Sequence, residues 1–123
     1  MKTDLLPLAR TYLDAWHRKD LDAIARHLHP EVRLISPQTT IDGKAGVVAS
    51  VRRILPLLTG LQVLSAFAHE TQAIFTYEFM CLPPIGICRT AELMTFEGEL
   101  IRGIELFFDA RPFEKLAQMQ KPV

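Results

Sequence analysis

The sequence predicts a single α+β domain, residues 1–123, in which helices pack into a curved antiparallel or mixed sheet. Three observations predict it. Apolar residues recur at helical spacing near the N-terminus and again between Lys44 and Leu55. Strand-like runs then follow one another from Leu61 to Asp109. The last two runs, CRTAELMTFEGELIRGIELFFD, are apolar at both alternating sets of positions, so both faces of that hairpin should be covered. Helices segregated from a meander of strands define the α+β class.

In chain order, Leu5, Leu8, Tyr12 and Trp16 form the inner stripe of a first helix, with Thr3 or Asp4 as its cap. Asp20 caps a second, short helix carrying Leu21, Ile24, Ala25 and Leu28, which Pro30 ends. Glu31 to Ser36 alternates as a strand stopped by Pro37, and PQTTIDG reads as turn chemistry. Asp42 is placed to cap a third helix, Lys44 to Leu55, closed by Pro56 and Gly60. Leu61–His69 and Gln72–Leu82 are two further strands, followed by the hairpin that turns at Glu97-Gly98. Arg111-Pro112 opens a last helix with Phe113, Leu116 and Ala117, and the tail QKPV is expected to fray.

Hydrophobic content of 49% and charged content of 23% suit a globular chain with a core of its own, large enough at this length to need no disulfide or metal. Acidic and basic residues balance, and Arg52-Arg53 is a short basic pair on the third predicted helix, with no longer basic run in the chain, which excludes a nucleic-acid or anionic-membrane footprint. No run is long enough to span a membrane and the start lacks a secretory h-region, so a cytoplasmic location is the default expectation. Cys81 and Cys88 flank LPPIG. A disulfide across that connection is geometrically conceivable, but reduced, half-buried thiols are expected without a secretory signal. His17, His27, His29 and His69 match no metal-ligand spacing, and no cofactor-binding loop or nucleophile elbow is present. Neither a metal nor a cofactor is expected.

Into the apolar hairpin the chain places Glu92 and Glu105. A carboxylate there must be exposed, paired or kept neutral. Glu92 shares its face with Thr90, Met94 and Phe96, and its neighbours carry no charge that would stabilise an anion. Burial would raise its pKa, whereas pairing with Arg33, Arg89 or Arg102 would lower it. Glu105 falls on the other parity from Ile104, Leu106 and Phe108 and is expected outside. Tyr12 and Trp16, one turn apart, should line the same space, either as aromatic core or as part of a site.

The strings YLDAWHRKDLDAIARHLHPEV, DGKAGV and TFEGELIRGIELFFD, in this order and followed by a Pro-Phe-Glu helix start, resemble the nuclear transport factor 2-like superfamily, especially its SnoaL-like branch. The resemblance spans about Tyr12 to Leu116 and implies a cone-shaped, cystatin-like sheet wrapped around the N-terminal helices. Against the ketosteroid isomerase branch, Tyr12 matches the oxyanion-hole tyrosine, Glu92 falls at the protonated acid, and Ser36 replaces the general base before Pro37. In that enzyme an apolar site raises the pKa of the acid and keeps it neutral, so that it can donate a hydrogen bond. Against the limonene epoxide hydrolase branch, Thr76, Glu78 and Leu106 stand where an Arg-x-Asp pair and a second Asp act on water, so one carboxylate of that trio survives. The resemblance points Glu78 inward, but strand pairing leaves its face open. Direct pairing of Cys81 with Cys88 would turn it away from Glu92, and a one-residue slip would bring the two together.

The resemblance implies a small-molecule enzyme using acid–base chemistry (isomerisation, cyclisation, dehydration or hydrolysis) on an apolar substrate. Glu92, Tyr12 and Glu78 are the candidate catalytic groups. The alternative is a non-catalytic module that binds a ligand or a second chain. Expected pocket walls are Tyr12, Trp16, Ile35, Val51, Leu55, Met94, Leu106 and Phe108, with Ser36, Thr76 and Thr90 as further ligand contacts, around a space of roughly 300 Å³ or more. Phe75, Tyr77 and Phe79, joined by Ile101 and Phe107, are expected to form an outer apolar face that pairs two copies.

Overall fold

The computed structural model describes residues 4–119. Helices α1 (Leu5–His17) and α2 (Leu21–Arg26) precede strand β1 (Leu28–Ile35), a short strand β2 (Thr40–Asp42) and helix α3 (Lys44–Ile54), which a 3₁₀ turn extends through Leu57. Strands β3 (Leu58–His69), β4 (Gln72–Cys81), β5 (Ile87–Glu97) and β6 (Leu100–Phe107) follow, then helix α4 (Arg111–Met119). The expected QKPV tail and the Thr3 cap lie outside the described residues. Asp4 caps α1 through the Leu6 amide, and Asp20 caps α2 through the Ala23 amide, each satisfying a backbone donor that the helix leaves free.

The six strands form one open mixed sheet in the order β2-β1-β6-β5-β4-β3. Only β1 and β6 run parallel; the other neighbours are antiparallel. Register shifts interrupt β3 at two places and β5–β6 near Thr95, and such bulges bend and twist a sheet. The concave side holds α1, α2 and α3 through Ala9, Leu13, Ile24, Val47 and Val51, packed on Val32, Phe75, Met94 and Ile104.

Several element boundaries move. The PQTTIDG stretch contains β2, because Ile41 and Asp42 pair with Leu34 and Arg33 instead of ending in a loop. Asp42 does not cap α3: its carboxylate is held by the Arg33 guanidinium at 2.7 Å, and Gly43 at the helix start offers no side chain. Gly43 takes φ of +92°, a conformation that other residues rarely adopt. Gly60 lies within β3 rather than after α3, since that strand begins two residues earlier.

The β4–β5 register decides which side chains face the helices. Phe79 stands opposite Cys88, Tyr77 opposite Thr90, and Phe75 opposite Glu92. Phe75 and Tyr77 are therefore buried on the concave side, and the expected outer face built on Phe75, Tyr77 and Phe79 is corrected. Ile101 is buried as well, and only Phe107 of that set lies outside. The convex face instead carries Ile35, Ile74, Ala91, Leu93, Ile87 and Phe107, interspersed with Thr76, Glu78, Arg89 and Glu105. Glu78 sits opposite Arg89 and Gln62 there: the register lies two residues from direct Cys81–Cys88 pairing, which keeps Glu78 turned away from Glu92, and its candidacy as a catalytic group beside it is corrected. Thr76, on the same face, hydrogen-bonds Ser65 rather than a ligand space.

Candidate functional site

A cavity of about 140 Å³ lies between the helices and the concave face. It is smaller than the roughly 300 Å³ expected from sequence, and close to the roughly 150 Å³ apolar cavity that accepts benzene. Helix α1 supplies Tyr12, Leu13 and Trp16, α3 supplies Ser50, Val51 and Ile54, and the sheet supplies Leu34, Tyr77, Phe79, Cys88, Thr90, Glu92, Ile104 and Leu106. Phe108 and, from α4, Phe113 stack edge to face at 5.3 Å beside it, and exposed Gln38 and Thr39 mark the mouth. Ile35, Leu55 and Met94 do not line it. Ile35 faces outward opposite Glu105, while Leu55 and Met94 are packed into the core. Ser36 reaches the wall, but its hydroxyl is taken up by the Thr39 carbonyl and by the amides of Gln38 and Thr39, which builds the β1–β2 turn.

At the floor of the cavity, Glu92 is 4% exposed. The Tyr77 hydroxyl donates to its Oε1 at 2.7 Å. Glu92 lines the cavity, and among the described residues no donor reaches its Oε2. Neither Arg33, Arg89 nor Arg102 pairs with Glu92: Arg33 holds Asp42, Arg102 donates to the Glu31 carbonyl, and Arg89 is exposed on the convex face. Burial therefore wins. It pushes the Glu92 carboxyl up from 4.5 to about 7, and the Tyr77 hydrogen bond offsets only part of that rise.

The two tyrosines are held in their neutral form. Burial and then the nearby Glu92 charge hold the Tyr12 hydroxyl far above its usual range, with the Trp16 indole partly offsetting the rise. Tyr77 is likewise pushed up, by burial first and Glu92 second. Both stay as neutral O–H groups. Tyr12, the partner expected for Glu92, shares the cavity and feels its charge, whereas Tyr77 makes the hydrogen bond. Sequence reasoning placed Tyr77 outside. The signal for it was present: Phe75, Tyr77 and Phe79 form the larger apolar set of β4, and the larger set belongs against a core.

Cys81 and Cys88 are free and buried; burial pushes the Cys81 thiol up to about 11 and raises Cys88 as well. Neither is a poised nucleophile. Among the described residues no group of histidine, cysteine and acidic side chains is arranged to hold a metal ion, and no helix is long and apolar enough to cross a membrane.

A curved, open mixed sheet cupping its helices around an apolar cavity with a single buried acid defines the class of the molecule. A family model described as a SnoaL-like domain matches residues 9–107, and the chain belongs to that nuclear transport factor 2-like family. A protein from Kribbella flavida DSM 17836 is 30% identical, with a TM-score of 0.85 and 94% of each chain covered. A candidate ketosteroid isomerase from the same organism is 20% identical, with a TM-score of 0.75, covering 84% of this chain and 76% of that one. A candidate polyketide cyclase from Sinorhizobium meliloti is 15% identical, with a TM-score of 0.77, covering 85% and 96%. These last two share the fold. No curated protein matches the chain.

Proposed function

We propose that the protein is a small-molecule enzyme of the acid–base kind, with Glu92 exchanging a proton with an apolar substrate held in the cavity. Isomerisation, cyclisation, dehydration and hydrolysis all fit such a group. One observation carries the reading: Glu92 is buried on the cavity wall with one oxygen held by the Tyr77 hydroxyl and no described donor on the other. When protonated, it accepts from Tyr77 at Oε1 and offers its own proton from Oε2. When ionised, Oε2 is a base held in apolar surroundings. A pKa of about 7 leaves both forms populated near neutral pH, where general acid–base catalysis is most efficient. Tyr12 adds a neutral hydroxyl donor to the same space, suited to a developing oxyanion. Trp16, Val51, Thr90, Leu106 and Phe108 are the proposed ligand contacts, and a cytoplasmic site of action goes with this reading.

The test is proton exchange. Enolisable ketones incubated with the protein in D₂O should lose α-protons faster than in buffer, followed by NMR, and Glu92→Gln should abolish the difference. A second reading, a non-catalytic binding module, is favoured by the removal of Glu78 to the convex face and the engagement of Ser36 in its turn, which leave Glu92 without a second acid or base. Ligand binding without exchange by any bound ketone would select that module. Pairing of two copies remains part of the proposal, now through Leu93, Ile87, Ile74 and Phe107 on the convex face. Leu93→Lys should convert a dimer to a monomer in light scattering, and a wild-type monomer at micromolar concentration would remove this part.

A further inference from the structure

We infer that the cavity prefers an otherwise apolar organic monocation, a compact ring or branched group bearing a protonated amine, over a neutral or anionic molecule of the same shape. This deepens the cavity reading above by naming the ligand's charge, and it rests on that reading. The twenty lining residues include one carboxyl group, Glu92, and no lysine, arginine or histidine. A carboxylate or phosphate ligand would meet no counter-charge there and would be driven toward a second acid, which is costly in an apolar space. Anions are excluded on that ground.

The rings supply the choice between neutral and cationic ligands. Trp16 and Phe79 stand at 73° with centroids 5.8 Å apart, and Tyr77 and Phe79 at 57° with centroids 6.4 Å apart. These three inclined rings share the cavity with the free oxygen of Glu92, and Tyr12 adds a fourth aromatic wall. Aromatic rings gathered around an acid suit an ammonium group: ring quadrupoles attract the cation and the carboxylate neutralises it. A neutral ring gains apolar burial against these walls, whereas a cation of the same shape gains the ring quadrupoles and the carboxylate as well. The cavity volume of about 140 Å³ limits the ligand to one ring or its equivalent. Glu92 reaches the cavity from the floor and Gln38 and Thr39 stand at the mouth, so the ligand's nitrogen enters first.

The titratable groups lining the cavity with Glu92 are Tyr12 on α1, Tyr77 on β4 and Cys88 on its own strand, all of them raised and neutral at physiological pH; behind them, Arg10 lies over Phe75, the cross-strand neighbour of Glu92, and His27 packs on Tyr12 with its imidazole lowered by burial and by Arg26. Glu92 is thus the one group lining the cavity whose charge changes near pH 7. A cation binds the ionised form, so its apparent affinity scales with the ionised fraction.

Three molecules of nearly equal shape make the test: benzylamine, benzyl alcohol and benzoate, titrated by calorimetry or by amide chemical shifts at pH 6 and pH 8. Benzylamine is expected to bind best at pH 8, and its affinity should rise on the order of tenfold between the two pH values. Glu92→Gln should bring it down to the level of benzyl alcohol and remove the pH dependence, with benzyl alcohol itself little changed. Benzyl alcohol matching or exceeding benzylamine at pH 8 overturns the cationic assignment while leaving a ligand cavity in place. Benzoate binding best overturns it too. Failure of all three to shift the resonances of Trp16, Thr90 or Leu106 overturns the cavity reading together with it.

Discussion

Replacing Glu92 with Gln is expected to stabilise the protein at alkaline pH and to leave it nearly unchanged in acid. The folded chain holds this carboxyl at about 7 against 4.5 for the free group, so folding favours the protonated form. Burial of neutral Glu92 is therefore fully tolerated below about pH 4.5, and the stability it allows is lost as pH rises toward 7. The gap between the two values corresponds to about 3 kcal/mol. Gln has the same shape, accepts the Tyr77 hydrogen bond through its amide oxygen, and cannot ionise. The variant should exceed wild type by under about 1 kcal/mol at pH 5 and by about 3 kcal/mol at pH 8. For a domain of this size that is a rise of roughly 10 °C in melting temperature. Urea denaturation of both proteins at one-unit pH intervals from 5 to 9 measures it, because all other titrating groups cancel in the difference. Parallel stability curves across that range would show that Glu92 is ionised or solvated at every pH, and the acid–base role would go with them.

Tyr77→Phe should move the Glu92 titration above 7, because the lost hydrogen bond was lowering it; carboxyl carbon NMR reads the midpoint, and a lower midpoint contradicts the geometry. The same change should cost roughly 1–3 kcal/mol in denaturant titration, since it leaves a buried acceptor without its donor. Cys81, with a thiol near 11, is a thiolate in roughly one molecule in 10⁴ at neutral pH, so a disulfide reagent should modify it only as fast as the fold opens. Labelling faster than unfolding would contradict its burial. Phe75→Ala should cost about 3–5 kcal/mol in denaturant titration, while Phe67→Ala should cost about 0.5 kcal/mol or less, because Phe75 is fully buried and Phe67 is 66% exposed. Equal losses would return β4 to the reversed orientation.

The fold was legible where one-dimensional patterns suffice. Helical stripes placed α1 and α3, and Glu97-Gly98 placed the β5–β6 turn, since these signals depend on neighbours within a few residues. Glu92 and Tyr12 were legible as neighbours in one cavity for the same reason: each sits on the apolar face of its own element. Glu78, Thr76 and Tyr77 were not, because the face of a strand residue depends on pairing with another strand, and a match to relatives outweighed β4's own alternation. Ile35 failed similarly. Its strand pairs on both sides, with β2 and β6, and Leu34 takes the inward parity. The β2 strand was hidden because three residues between turns are too few to show a period.

The parallel pairing of β1 with β6 has a consequence for how the molecule folds. Strands β3 to β6 are linked by short connections and can zip together as successive hairpins, but β1 must wait for a partner more than sixty residues downstream in contacts such as Leu34 with Ile104. Loop closure over that span is slow compared with hairpin formation. The cavity draws its walls from both sides of this late junction: Tyr12, Leu34 and Val51 before it, Ile104 and Leu106 after it. A ligand therefore has nothing to bind until the chain has crossed its barrier. It should lengthen the lifetime of the native state by slowing unfolding, while the refolding rate stays as it is.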